Sequence, residues 1–151
     1  MVTFERPQPD LGTEGDVILK RILAFLIDAV LFAVAVSILS GIAGVVSARL
    51  SALVTALGGV LLFAYFIYFE AEYGQTLGKM VMDIVVVTED GNPITYRESA
   101  LRTILRIVDW FPYPLHLIGL VAIYVTDRKQ RLGDLVADTI VVKTKEKAEK
   151  L

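Results

Sequence analysis

The stretch KRILAFLIDAVLFAVAVSILS, residues 20–40, decides the fold. From Ile22 to Leu39 the only charged residue is Asp28, and the rest is Leu, Ile, Val, Ala and Phe with one Ser. A run this long and apolar predicts a membrane-crossing helix. Placing an ionised carboxylate near a bilayer centre costs from ~2.5 kcal/mol upward, so such a group faces other helices or a watery cavity. Arg21 lies seven residues earlier. Seven helical positions turn through about 700°, which puts Arg21 and Asp28 within about 20° on one face. They stand about 10 Å apart along the axis, too far for a direct ion pair on a rigid helix.

Working outward, the 151 residues amount to one domain. A hydrophobic share of 55% and a mean hydropathy of +0.61 exceed the roughly 45–50% apolar content of soluble domains. The net charge of −2 is small, and the placement of charges says more than their sum. The absence of cysteine excludes disulfides, thiolate catalysis and Cys-based metal sites. With His116 as the single histidine, a histidine-based metal cluster is disfavoured, and no cofactor is expected. Residues 1–16 carry Glu5, Asp10, Glu14 and Asp16 with Pro7 and Pro9, unlike the basic start of a secretory signal. The first apolar block therefore reads as a retained transmembrane helix.

Along the chain, a polar and mobile tail is expected over 1–16, a membrane domain over 17–142 and a charged tail over 143–151. Helix one is expected from Val17 to Ser40 with Asp16 as N-cap, then a small-residue stretch, Gly41 to Ser51. Helix two is expected from Ala52 to Glu70, ending in an aromatic belt of Tyr65, Tyr68, Phe69 and Tyr73. Asp83 to Thr88 (DIVVVT) reads as a strand, and Glu89 to Pro93 (EDGNP) as a turn. A second β-like run is Leu135 to Lys143. Between the strands, residues 98–111 form an amphipathic helix with Leu101, Ile104, Leu105 and Val108 on one face and Arg102, Arg106 and Asp109 on another. Pro112-Tyr113-Pro114 breaks it, and Leu115 to Val125 resumes an apolar segment. Each half is too short to cross a bilayer alone without tilt or thinning.

Arg49 is the only basic residue between helices one and two. Lys20, Arg21, Lys79, Arg97, Arg102, Arg128, Lys129 and Arg131 flank the other ends. The positive-inside rule places both termini and residues 71–100 in the cytoplasm. The expected architecture is an all-α membrane protein with a small cytoplasmic β element. It has two full transmembrane helices plus a Pro-broken helical hairpin, re-entrant or two short spans, and belongs in the inner membrane.

Several motifs together resemble the RDD family of small membrane proteins. They are Arg21-x-x-Ala24-x-x-Ile27-Asp28, Gly74-Gln75-Thr76-Leu77-Gly78-Lys79, the basic helix with Arg102 and Arg106, and Gln130-Arg131-Leu132-Gly133-Asp134 leading into Thr139-Ile140-Val141-Val142. The resemblance covers about residues 17–142. It implies a membrane protein with the arginine at Arg21 and the first aspartate at Asp28. The second aspartate falls to Asp134, with Asp109 and Asp127 as alternatives. Asp138 departs from the small residue expected before the last strand. The resemblance implies no settled activity, although transport of unidentified ligands, cations included, has been proposed for the family.

Each candidate residue has a bland reading beside a sharp one. Arg21 either snorkels to lipid phosphates or pairs with a carboxylate. Asp28 either holds helices together or handles protons or a ligand. Arg102, Arg106 and Asp109 either bind anionic lipid head groups at the interface or point inward at Asp28 and Glu70 to line a polar cavity. The candidate ligand or ion pathway is thus Arg21, Asp28, Glu70, Arg102, Arg106 and Asp109. Gly78, Gly133 and Asp134 read as structural, the last as a turn that caps the following backbone. His116 reads as a packing residue. Gly74-x-x-x-Gly78-Lys79 fails as a phosphate loop, being one residue short with Met80 where Ser or Thr is needed. Ala52-x-x-x-Ala56 and Thr55-x-x-x-Gly59 fit small-residue helix packing.

Three function classes follow. The first is transport or conduction of a small ion or solute by a homo-oligomer. The second is a non-transporting assembly or regulatory subunit of a larger membrane complex. An enzyme ranks last, since no nucleophile–base constellation is visible. The expected partners are the lipid bilayer, its anionic head groups among them, and further copies or a membrane complex, with no nucleic acid.

Overall fold

The computed structural model describes residues 5–109 and 117–145. Two long helices dominate it, α1 (Ile18–Val46) and α2 (Ala48–Tyr73). At 1.5 Å per residue they measure about 43 and 39 Å, longer than a hydrocarbon core of about 30 Å. Both are apolar enough to cross a membrane, and only 11% of each one's most apolar window is buried inside the protein. Large side chains such as Val45, Leu53 and Val60 face outward.

The small-residue stretch expected between them is instead helix on both sides of one extended residue, Ser47 (φ −164°, ψ 152°), whose Oγ accepts from Leu50 N–H and caps α2. Apolar propensity carries α1 through Gly41 and Gly44, because a bilayer environment leaves the backbone no partner except itself. The close approach of the two helices falls at Gly58, where a Cβ would lie 2.5 Å from Val36 Cγ2. The expected Gly59 meets nothing within 4 Å. Asp16 is not the N-cap of α1, since a 3-10 turn over Glu14–Val17 precedes the helix and puts Val17 there. Its carboxylate pairs instead with Lys143 at 3.2 Å.

Both open ends of the α1–α2 hairpin meet a three-stranded antiparallel sheet of order β1-β3-β2. The strands are β1 (Pro9–Asp10), β2 (Ile84–Thr88) and β3 (Thr139–Thr144). β2 and β3 pair from Ile84↔Lys143 to Thr88↔Thr139, so the chain between them returns to the sheet from which it left. The described part of the tail expected to be mobile, residues 5–16, is tied down. Pro9 and Asp10 pair with Thr144 and Lys143, Lys145 N–H donates to Gln8 O, and Arg6 donates to Ala71 O. β-Branched alternation buries both faces of the sheet, with Val86 and Val141 against Val17 and Ala24 of the first helix region, and Val85, Val87, Ile140 and Val142 opposite.

Three further helices complete the fold: α3 (Leu77–Val81), α4 (Tyr96–Asp109) and α5 (Leu117–Val125), with a short α6 (Leu132–Val136) before β3. The β-like run expected over 135–143 therefore divides. Asp134 accepts from Arg131 N–H at 3.0 Å, which starts the α6 turn, and Asp138 ends it in the left-handed region at φ 53°. Asp tolerates that conformation better than most residues, which accounts for its place before the strand. The Pro112–Pro114 break and His116 lie outside the described residues.

The chain also repeats itself. Residues 74–87 (GQTLGKMVMDIVVV) and 129–142 (KQRLGDLVADTIVV) share Gln, Leu, Gly, Val, Asp and the final two Val, seven of fourteen positions. The backbones agree. Gly74 and Lys129 are left-handed (φ 68° and 53°), as are Asp83 and Asp138 (both 53°). Gln75 and Gln130 each donate to the carbonyl nine residues on, Ile84 and Thr139. Upstream, Arg21-x6-Asp28 on α1 corresponds to Arg102-x6-Asp109 on α4. The helix pair α4–α5 is thus a shortened counterpart of α1–α2, of about 21 and 14 Å.

Candidate functional site

In the first half, Asp28 is locked into the start of α3. It is 1% exposed, and its two oxygens accept from Tyr65 OH (2.7 Å), Gly78 N–H (2.8 Å) and Thr76 Oγ1 (2.6 Å). Thr76 also caps α3 by accepting from Lys79 N–H. The glycine-rich segment that fails as a phosphate loop does present a helix start to an anion, and the anion is the protein's own carboxylate. Gly78 is required there, because a Cβ would come within 2.0 Å of Ala24 O. Tyr65, expected in an interfacial belt, thereby has a specific partner.

The second half is built differently. The arginine stripe of α4 faces inward: Arg102, Thr103, Arg106 and Asp109 are buried, while Ile104 and Ile107 are exposed. Arg102 is fully buried and binds three groups. Its Nε donates to Glu70 at 3.0 Å, and its Nη1 donates to Asp134 and to Thr139 Oγ1 at 2.7 Å. Asp134 also takes Arg21 at 2.5 Å, and Arg21 donates in turn to Lys129 O at 2.7 Å. Glu70 further pairs with Lys79 and lies 3.8 Å from Arg106. Burial alone would push the Asp134 carboxyl up, but Arg102, Arg21 and Arg131 hold it well below the usual carboxylate range. Burial pushes the Lys79 ammonium down to about 7 despite Glu70, with Arg102 and Arg106 adding to the shift.

Beside this network lies a cavity of about 370 Å³. Its charged lining among the described residues is Arg21, Asp28, Lys79, Arg102, Arg106, Asp109 and Arg131. Five of the six candidate pathway residues therefore share one cavity, and the sixth, Glu70, sits behind it on Arg102. Arg106 stacks over Phe66, 4.1 Å from the ring centroid. Asp109 is less well satisfied than its counterpart Asp28. Its Oδ1 accepts from Leu132 N–H at 3.3 Å, while its buried Oδ2 has no hydrogen-bond partner and lies 3.9 Å from Arg131. Arg102 Nη2, Arg106 Nε and Arg131 Nε are also buried without hydrogen-bond partners among the described residues. No group of three metal-ligating side chains occurs among the described residues.

A model of the RDD family matches residues 17–138. The chain belongs to the RDD family. With two outward-apolar helices long enough to span a bilayer, this RDD chain is an integral membrane protein. Among its acidic candidates, Asp134 is the one clamped between Arg21 and Arg102, whereas Asp109 contacts neither at ion-pair distance. An uncharacterised protein of Haemophilus influenzae is 36% identical over 88 residues, 56% of this chain and 56% of its own length. No solved structure matches.

Lys79, Tyr65, Thr76 and Arg131 were absent from the sequence-level site. The signal for Thr76 and Arg131 was present: each precedes a Leu-Gly in the internal repeat, which aligning the chain with itself would have exposed. Tyr65 carries no such signal, because its hydroxyl finds Asp28 only once α1 and α2 are packed.

Proposed function

We propose that this RDD protein is a multi-pass protein of the inner membrane that moves a small charged solute as an oligomer, with the cavity as the solute site. The observation that carries this reading is a cavity at one end of a bilayer-length hairpin lined by Arg21, Lys79, Arg102, Arg106 and Arg131, beside which three buried guanidinium N–H groups have no hydrogen-bond partner among the described residues. Native proteins pair more than about 90% of such groups, so several beside one cationic cavity favour a ligand there. Arg49 is the single charge between Ala29 and Phe69, which leaves the far halves of α1 and α2 without a charged path across. A second copy would supply the missing path. The outward Ala52, Thr55, Ala56 and Gly59 stripe on α2 suits close packing between copies.

In this reading the sheet end is cytoplasmic, following the clustering of Lys and Arg there. α4 and α5 enter the cytoplasmic leaflet and return without crossing, consistent with their length and with the exposed apolar face of α4. A cysteine placed at Ser47 should then label from outside with an impermeant reagent, and cysteines at Thr95 and Thr144 should not. The functional test is flux in vesicles, read with potential- and pH-sensitive dyes, beside copy number in mild detergent. Charged-solute flux from an oligomer is expected, and a monomer without flux would overturn the reading. The assembly-subunit alternative draws on the buried ion pairs that join Arg21, Asp134, Arg102 and Glu70, which suit a static role.

A further inference from the structure

We infer that the cavity takes an anionic amphiphile, its phosphate head on Arg106 and Arg131 and its acyl chain against α1 and α5. The inference rests on the cavity being the solute site, and it supplies the chemical class of that solute.

Charge comes first. Four guanidiniums and Lys79 line the cavity or its edge, against Asp28, Glu70, Asp109 and Asp134. Asp28 is already satisfied by two hydroxyls and an amide, so it offers little to a ligand. Among the described residues, the polar atoms beside the cavity without a hydrogen-bond partner are mainly donors, Arg102 Nη2, Arg106 Nε and Arg131 Nε, against one carboxylate oxygen, Asp109 Oδ2, which lies 3.9 Å from Arg131. A bare cation would enter a cavity whose cationic side chains outnumber its carboxylates. A phosphate meets donors whose planar geometry suits its oxygens, and a hydroxyl on the same head group would satisfy Asp109.

The walls decide between a free phosphate and a lipid. Ile22, Leu26, Leu120 and Ile123 give the same cavity an apolar wall. Ile22 and Leu26 are also 42% and 51% exposed, on a helix whose outer surface is apolar along its length. The cavity wall therefore runs onto the bilayer-facing surface, a sideways route for a chain. Inorganic phosphate would leave that wall unused. The shared chemistry is the phosphate, and the wall assigns it to a lipid.

The test is calorimetric titration of the full chain in a neutral detergent with dihexanoylphosphatidylglycerol, dihexanoylphosphatidylcholine and inorganic phosphate. Phosphatidylglycerol should bind saturably, at least tenfold more tightly than the other two. Arg131→Gln should weaken it about tenfold or more, since one charge-assisted contact is lost. That variant disturbs the fold little, because the side-chain ion pairs of Arg131 stand at 3.8 and 3.9 Å. Leu26→Trp should weaken the lipid while leaving phosphate unchanged. Equal affinity for phosphatidylcholine, or for inorganic phosphate, would overturn the proposal, as would unchanged affinity in a folded Arg131→Gln protein. The titration needs no flux, so loss of transport with intact binding would remove the transport reading and leave this one standing.

Discussion

Replacing Asp134 with Asn tests the ionic network at its most connected point. Asp134 is fully buried, pairs with Arg21 at 2.5 Å and with Arg102, and accepts from Arg131 N–H at 3.0 Å. Asn keeps the shape and one acceptor but removes the charge, leaving Arg21 without its carboxylate and Arg102 with Glu70 alone. Orphaning a buried pair costs about 3–5 kcal/mol. A chain of this size loses about 2–4 °C per kcal/mol, so melting in mild detergent should fall by on the order of 10 °C. The pH dependence has a defined sign. The unfolded carboxyl titrates near 3.9, and the folded one well below, held there by Arg102, Arg21 and Arg131 against burial. Its stabilisation is fully present above about pH 4 and is lost as pH falls through the folded value. The gap between the melting curves of the two proteins should therefore be constant from pH 5 to 8 and shrink below about pH 4. A melting point within 2 °C of the unmodified protein at pH 7 would refute the assigned network.

Asp28→Asn should cost about 1.5–3 kcal/mol, the worth of hydrogen bonds to a charged group, and thermal melts beside Asp28→Ala should show the Ala variant lower still. Gly78→Ala should be among the most damaging small changes in the chain, because the added carbon would lie 2.0 Å from Ala24 O and 3.0 Å from Asp28 Cγ; a normal yield of folded protein would remove the close contact from the account. Val86→Pro should loosen the sheet from α2 rather than part the strands. Val86 N–H donates to Gly74 O at 2.8 Å, so cysteines placed at Val85 and Val142 should still crosslink within one chain.

How far the sequence led is clearest at particular residues. The two apolar runs, the β-like runs over 83–88 and 135–143 and the inward option for Arg102 and Arg106 were all legible, because hydropathy and β-branching report local environment directly. The pairing of Arg21 with Asp134 was not, since it joins residues 113 positions apart through an alignment of α1 with α6 that no local pattern encodes. Asp28 read as either structural or functional, because an isolated carboxylate in an apolar run carries no mark of its partners. Its three donors come from α2 and from the start of α3, a motif dismissed when judged against external phosphate. The tail failed for a similar reason: Pro and Gly lower local propensity, yet Pro9 and Asp10 sit at a sheet edge, where a proline is tolerated.

The central claim is that the cavity beside α4 is where this protein meets its solute, while Asp28 and Asp134 hold the fold. Flux in vesicles carrying Leu26→Trp addresses it most directly, because the substitution adds bulk to the cavity wall without altering any charge. The account predicts an unchanged melting curve and lost flux. Normal flux through a protein whose cavity is filled would contradict it.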